Sequence, residues 1–324
     1  MKAFVVLNPA AGQNAHESVR EALGSHFGAA HIQYEVHETL KADKPGEIVR
    51  ARLRDGFDLA VAVGGDGTVS DVIDGLAGSA VPLGIIPTGT GNLIARELSI
   101  PLEVDDAVGL IAGAPRSRKI DAMRIGKRVF VLNVSVGISA SVMSGTTGKD
   151  KKRFGRIAYL GTAIRKIFTL KSRYLGVSVD GITHEYRAIE VAIMNCGMLA
   201  KMLYPKGPEI RIDDGHLDVL VLGMRTIRDY PRYIFGIIGA RPVDFLSRFI
   251  KAERCVSIRS NVPLPVQADG DIIGTTPIEV EFLPGAVAVL VPEEQVIVPA
   301  PDLDRESAPC ASTGPLSPVQ GGRE

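Results

Sequence analysis

From residue 1 to about residue 123, short apolar runs alternate with longer amphipathic stretches: 4–7 then 16–27, 31–36 then 47–54, 59–63 then 69–77, and 82–86 then 92–98. Runs too short for helices, each followed by a stretch of helical period, predict strands joined by crossover helices. The expected architecture here is α/β, an N-terminal doubly wound parallel sheet. After Asp121 the rhythm changes. The apolar runs 129–134, 175–179, 186–194, 217–222, 256–258, 277–282 and 286–291 follow one another, many separated by turn pairs such as Asp180-Gly181, Asp214-Gly215 and Pro284-Gly285. This second pattern predicts a mainly antiparallel β-sandwich domain, interrupted by helical stretches at roughly 156–170 and 227–251. Expected domains are therefore 1–123, 124–300 and a tail, 301–324, whose Pro, Ser, Gly and charge predict disorder.

Composition agrees with two domains, since 324 residues at 45% hydrophobic content exceed a single domain of ~100–200 residues. Lys plus Arg and Asp plus Glu are 37 each, so no overall field favours nucleic acid. Attraction to a membrane would have to be local. Cys196, Cys255 and Cys310 lie far apart with no Cys-x-x-Cys pair, which fits a reducing compartment. The first apolar run breaks at Pro9, too early for a signal peptide, and no run reaches the ~20 apolar residues of a spanning helix. The expectation is a cytoplasmic protein, able to sit peripherally at the inner membrane face without crossing it.

Three small-residue turns fall where strands should end and helices begin, the place where open α/β sheets bind ligands. The first is Asn8-Pro9-Ala10-Ala11-Gly12, which is also what an ordinary strand-to-helix turn looks like. The second, Gly64-Gly65-Asp66-Gly67-Thr68, puts three glycines around one acid, as backbone approaching a phosphate beside a metal-linked carboxylate requires. The third, Thr88-Gly89-Thr90-Gly91-Asn92, adds hydroxyl and amide donors, and either Thr90 or Asn92 would cap the following helix. The fingerprints Gly-x-Gly-x-x-Gly and Gly-x-x-x-x-Gly-Lys-Ser/Thr are missing, Ser70 standing where the former needs glycine. Later, Asp213-Asp214-Gly215-His216 and Asp269-Gly270-Asp271 have the composition of surface turns; beside phosphate loops, the second is also a candidate base or metal ligand.

In this order, these residues resemble the diacylglycerol kinase catalytic-domain family, which is related to sphingosine and ceramide kinases; the resemblance runs to about residue 298. It implies an ATP- and Mg2+-dependent lipid kinase acting on a hydroxyl of diacylglycerol or a related lipid. By it, ATP is held by Asn8, Pro9, Ala10, Ala11, Gly12, Thr39, Gly64, Gly65, Asp66, Gly67, Thr68, Val69, Ser70, Asp71, Gly89, Thr90 and Asn92. Asp66 belongs to the magnesium network, Asp271 is the proton acceptor with Asp269 beside it, and Asp121 joins the acidic cluster. A structural metal is implied at Asp214 with the carbonyls of Arg211 and His216. Two departures stand out: Leu93 follows Asn92 where several relatives have an acid, and Asp271 stands where others carry Glu.

Residues 149–173 hold nine basic side chains against one acid, Asp150, interleaved with Phe154, Ile157, Tyr159, Leu160, Ile164, Ile167 and Phe168. Such a stretch suits either an anionic membrane surface or a solvated face packed on the sandwich. Two rival functions share some of the motifs, an NAD kinase-like enzyme and a non-catalytic nucleotide or lipid sensor. The identity of the lipid and the oligomeric state are not encoded in these motifs.

Overall fold

The computed structural model describes residues 1–12, 15–113, 115–137, 172–203, 207–223 and 247–293. The helical stretch expected at 156–170, the expected tail and nearly all of the basic stretch 149–173 lie outside these residues.

The first half is built as the alternation of apolar runs predicts. Strands β1 (Lys2–Leu7), β2 (Gln33–Glu38), β3 (Leu59–Gly64) and β4 (Leu83–Pro87) pair in parallel in the order β2-β1-β3-β4. Helices α1 (Ala15–Ala22, continued by a π turn at Leu23–Phe27), α2 (Pro45–Arg52), α3 (Asp66–Leu76), α4 (Leu93–Glu97) and α5 (Val104–Ala112) complete the half. Successive strand side chains point to opposite faces, so continuous apolar runs feed two cores. Phe4, Val6, Ala60 and Ala62 pack with Val49, Val72, Ile73 and Leu76 of α2 and α3. Ala3, Val5, Leu7, Val61 and Val63 pack with Val19, Leu23, Phe27, Val108 and Ile111 on the other face.

The second half is antiparallel: β5 (Arg116–Ile125), β6 (Arg128–Phe130), β7 (Asn133–Gly137), β8 (Arg173–Val179), β9 (Ile182–Met194), β10 (Leu217–Gly223), β11 (Ser247–Ala252), β12 (Cys255–Ser260), β13 (Pro265–Ala268), β14 (Asp271–Thr275) and β15 (Ile278–Val291), with the short helix α6 (Gly197–Leu203) after β9. Strand order runs β14-β13-β7-β9-β8-β12-β15, where Val289 of β15 meets Leu83 of β4 in parallel and joins the two halves. The sandwich core gathers Val134, Val136, Val177, Val191, Ile193, Val219, Val256, Val266 and Val280.

Three elements differ from the expectation. The runs 277–282 and 286–291 are one strand: the Pro284-Gly285 pair makes a bulge, with Gly285 at φ +56°, rather than a chain-reversing turn. The run 129–134 is two strands, β6 and β7, broken at Val131 and Leu132. The helical stretch expected at 227–251 is strand from Ser247 onward, paired along its length with β10, while its earlier part, 227–246, lies outside the described residues.

The bulge has a polar anchor. Residues 284–286 stand opposite Asp121 of β5, whose Oδ1 accepts the Gly285 N–H (2.7 Å) and whose Oδ2 accepts the Gly215 N–H (2.9 Å). Asn195 Nδ2 donates to the Asp121 carbonyl and to that of Val131, both at 2.9 Å. Asp121 is 2% exposed, and burial pushes its carboxyl up to about 6 against the pull of these two amides. A folded-state pKa above the unfolded value means that the native state binds the extra proton, so this residue's contribution to stability is present below about pH 4 and is lost as pH rises through 6. Urea unfolding of the wild type and Asp121→Asn across pH 4–7 is expected to show a wild-type-specific decline of at most about 3 kcal/mol. Parallel pH profiles would remove Asp121 as its source.

Candidate active site

All three glycine turns and Thr39 lie at the C-terminal ends of the parallel strands. The second turn is shorter than its sequence suggests, since β3 ends at Gly64 and α3 begins at Asp66, leaving Gly65 as the only link. The first intrahelical bond is Val69 N–H to Gly65 O (3.1 Å), so the preceding amides at the start of α3 point outward, as an anion site needs.

The turns are locked to one another. Asn8 Nδ2 donates to Thr68 Oγ1 (2.9 Å), and Asn8 Oδ1 accepts the Ala10 N–H (3.0 Å), shaping the first turn. Gly64 O accepts the Thr88 N–H (3.0 Å). Asn92, at φ +50°, closes the third turn by pairing both ends of its amide with Gly89, at 3.0 and 2.9 Å. Glycine is required where the second and third turns touch: a Cβ on Gly89 would lie 2.5 Å from Gly65 Cα, and one on Gly64 would lie 2.5 Å from Thr68 Oγ1. Thr39 is 9% exposed, and its N–H bonds Leu7 O (2.8 Å). Thr90 is exposed, whereas the Thr88 hydroxyl is buried without a partner among the described residues.

Asp66 Oδ1 accepts the Ile94 N–H at the start of α4 (3.1 Å). Its Oδ2 faces the bare side of Gly91, where a Cβ would come within 2.9 Å. One oxygen thus ties the second turn to α4, and the other lies in the space that the missing side chain of Gly91 leaves. Leu93 packs on the first core. The next acid along that helix, Glu97, is engaged elsewhere, accepting the Gly197 and Met198 N–H groups (3.2 and 2.7 Å) at the start of α6.

Asp269 and Gly270 form the two-residue turn of the β13–β14 hairpin, at φ +45° and +97°, the left-handed pair that an Asp-Gly turn of type I′ adopts. The Asp269 carboxylate has four donors: Ser70 Oγ (2.7 Å) and the N–H groups of Val131 (2.8 Å), Leu132 (2.8 Å) and Asn133 (3.0 Å). These three amides are the break between β6 and β7 and the first residue of β7. Burial pushes the carboxyl up and the four donors pull it down. With both oxygens so engaged, Asp269 is a clasp between α3 and the sandwich rather than an acid facing substrate. Asp271, two residues on, is exposed at the start of edge strand β14.

Several other expectations shift. Val69 lies in the first core and Ser70 is bonded to Asp269, so neither side chain belongs to the cradle. Asp71 pairs with Arg128 Nη2 (3.6 Å); burial pushes its carboxyl up, Arg128 opposes this, and Asp271 adds to it. Asp121, expected in the acidic cluster, is held by Gly215 and Gly285 beside Asp213 and Asp214. Asn195 and Glu97 carried no sequence signal, because a buried amide between two strands and an acid in the last turn of a short helix have no motif.

A model of the diacylglycerol kinase catalytic domain matches residues 2–125, and one of the YegS C-terminal NAD kinase beta sandwich-like domain matches residues 132–291. A protein named "Probable lipid kinase YegS-like" from Pseudomonas putida is 30% identical over 298 residues, 90% of this chain and 95% of that one. The chain belongs to the diacylglycerol kinase catalytic-domain family of lipid kinases. The diacylglycerol kinase of Bacillus subtilis is 27% identical over 303 residues, covering 91% of this chain and 97% of its own. A crystal structure of a diacylglycerol kinase from Bacillus anthracis matches 90% of this chain and 97% of its own with TM-score 0.71 at 23% identity, a likeness of fold. Among the described residues of this family member, no helix is long and apolar enough to cross a membrane.

The contact between turns can be tested without any substrate. Gly89→Ala is expected to lower stability by about 1–3 kcal/mol, as overpacked backbone would. Gly67→Ala, whose Cβ would meet nothing within 4 Å, is expected to fold like the wild type. Thermal unfolding checks both.

Proposed function

We propose that the protein is an ATP- and Mg2+-dependent lipid kinase that transfers the γ-phosphoryl group of ATP to a hydroxyl of diacylglycerol or a related lipid. The observation that carries this reading is the Asp269 clasp, which fixes Asp271 relative to α3, the helix whose N-terminus belongs to the glycine cradle. Phosphoryl transfer asks the protein chiefly for positioning and charge balance. In this reading the start of α3 and the turns at Asn8 and Gly89 hold the nucleotide phosphates. Asp66 presents Oδ2 to the metal ion, which would neutralise charge on the transferred group. Asp271 accepts the proton of the attacking hydroxyl; its exposure on an edge strand leaves it open to an acceptor from outside. Stretch 149–173 is proposed to draw the protein to an anionic bilayer, at ~1 kcal/mol per basic residue near the surface.

Asp271 and Asp269 make a discriminating pair. Asp271→Asn is expected to lower turnover by two or more orders of magnitude while leaving the folding midpoint and ATP affinity in place. Asp269→Asn is expected to cost about 2–4 kcal/mol of stability, since an amide cannot accept from all four donors. Full activity in Asp271→Asn would remove it as the base. The substrate assignment is tested by incubating the protein with Mg2+-ATP and a panel of diacylglycerol, monoacylglycerol, sphingoid base, ceramide and NAD, with products identified by mass spectrometry. Phosphorylated NAD alone, or no product, would overturn the reading.

A further inference from the structure

Main-chain amides hold several of the buried or half-buried acids among the described residues. Asp121 accepts from Gly215 and Gly285, Asp214 from Arg211 (3.2 Å) and His216 (3.4 Å), and Asp74 from Val129 (2.7 Å), with Arg50 Nη2 3.4 Å from its other oxygen. Asp269 has its four donors. Asp71 of α3 has a different partner: Nη2 of Arg128 stands 3.6 Å from its Oδ1, beyond hydrogen-bonding distance. Both side chains are partly exposed.

Arg128 is fixed at its backbone and loose at its head. It pairs with Ile125 of β5, and the N–H groups of Val129 and Val131 just after it are bonded to Asp74 and Asp269. The guanidinium lies over the Phe130 ring, 4.9 Å from the centroid. Stacking occupies its flat face and leaves the N–H edge for a partner in the plane. Asp71 meets that edge through one long contact, where a bidentate partner would take two short ones. On a helix the Asp71 side chain leans toward residue 67, one turn nearer the start. Gly67 is exposed, and a Cβ there would meet nothing within 4 Å. From Asp71 to the level of Gly67, beside the outward amides that open α3, is ~6 Å along the axis over a bare turn of helix. Burial pushes the Asp71 carboxyl up, Arg128 pulls it down and Asp271 adds to the rise, so the proposed base belongs to the same cluster.

Resting on the kinase reading, in which the nucleotide phosphates lie at the start of α3 and the acceptor hydroxyl at Asp271, we propose that Arg128 binds the terminal phosphate of the nucleotide. The guanidinium exchanges its single contact with Asp71 for a two-pronged one to phosphate oxygens, and Asp71 holds it in place when no phosphate is there. A planar fork fits two oxygens of a phosphate, whose higher charge outcompetes one carboxylate. The exchange also answers an electrostatic problem. A negatively charged phosphoryl group must approach Asp271 with Asp71 close by, and a cation at that place lowers the repulsion. ADP lacks the terminal phosphate and leaves Arg128 on Asp71.

The full chain is titrated by calorimetry, at low salt with excess Mg2+, against ADP and against adenylyl imidodiphosphate, an ATP analogue that keeps the terminal phosphate and is not turned over. Arg128→Gln is expected to weaken the analogue by about 10–100-fold and ADP by less than about 3-fold. Its unfolding midpoint is expected to stay within about 3 °C of the wild type, since a half-exposed ion pair adds little. Asp71→Asn is expected to act in the opposite sense, tightening the analogue by about 2–5-fold, and to do so only where Arg128 is present. Equal losses for ADP and the analogue in Arg128→Gln, or the same weakening in Asp71→Asn, would make the pair a brace between α3 and β6 and overturn the proposal. Lipid product, followed in parallel, separates this from the kinase reading. A wild type that makes product, with Arg128→Gln binding the analogue as tightly as it does, sinks the phosphate contact alone. A wild type that binds no nucleotide and makes no product sinks the kinase reading and the contact with it.

Discussion

The four donors converging on the Asp269 carboxylate determine where everything else in the site stands. Ser70 reaches it from the helix that opens the glycine cradle, and the amides of residues 131–133 reach it from the break between two sandwich strands. Charge-assisted bonds to a carboxylate are short and directional, and in a partly buried setting they are stiffer than the apolar contacts around them. The Asp-Gly turn then leaves Asp271 as the next strand residue. A hydrophobic contact could hold the two halves together. It could not fix the position of one side chain against a helix terminus to the tolerance that phosphoryl transfer demands.

The cradle is built by a complementary constraint, the removal of side chains. Gly65 and Gly89 let two turns from neighbouring strands touch backbone to backbone, and the Asn8–Thr68 and Thr88–Gly64 bonds hold them in that position. Each glycine weakens its own segment, since it has the most backbone freedom to lose. The side-chain amides of Asn8 and Asn92 offset this by closing their own turns. A set of turns that is costly to order locally and then cross-linked fits a site in which several backbone amides must point at one ligand.

How far the sequence speaks for itself depends on which physical signal each residue leaves. β1, β3 and β4 are legible because burial on both faces demands continuous apolar runs, and the glycine turns because nothing else packs that tightly. β5 is not legible: Arg116-Ser117-Arg118-Lys119 is as polar as a loop, and its pairing with β15 only becomes visible in space. The Pro284-Gly285 pair looks the same as a chain reversal or as a bulge. The sharpest ambiguity is in the acids. Asp66, Asp121, Asp269 and Asp271 all lie in small-residue contexts that suit a metal ligand or a base, yet two of the four have both oxygens taken by backbone or hydroxyl donors. An aspartate that organises backbone and one that does chemistry use the same residue, and only the identity of the donors separates them.

Leu93 shows how one change propagates through such an arrangement. An acid at that position would stand at the start of α4, where the helix dipole favours negative charge, next to Asp66. Leucine instead packs on the first core, and the helix is held from both ends by polar contacts: Asp66 accepts the Ile94 amide at its start, and Glu97 at its end accepts two amides that open α6. α4 is thereby a strut from the cradle to the second half of the chain. In the proposed reading, one carboxylate fewer near the phosphates leaves less negative charge to hold a cation. In that reading the burden of placing it would fall on Asp66, whose other oxygen is held by the Ile94 amide. What the geometry offers in place of that acid is rigidity, with α4 tied at its start to Asp66 and at its end to α6.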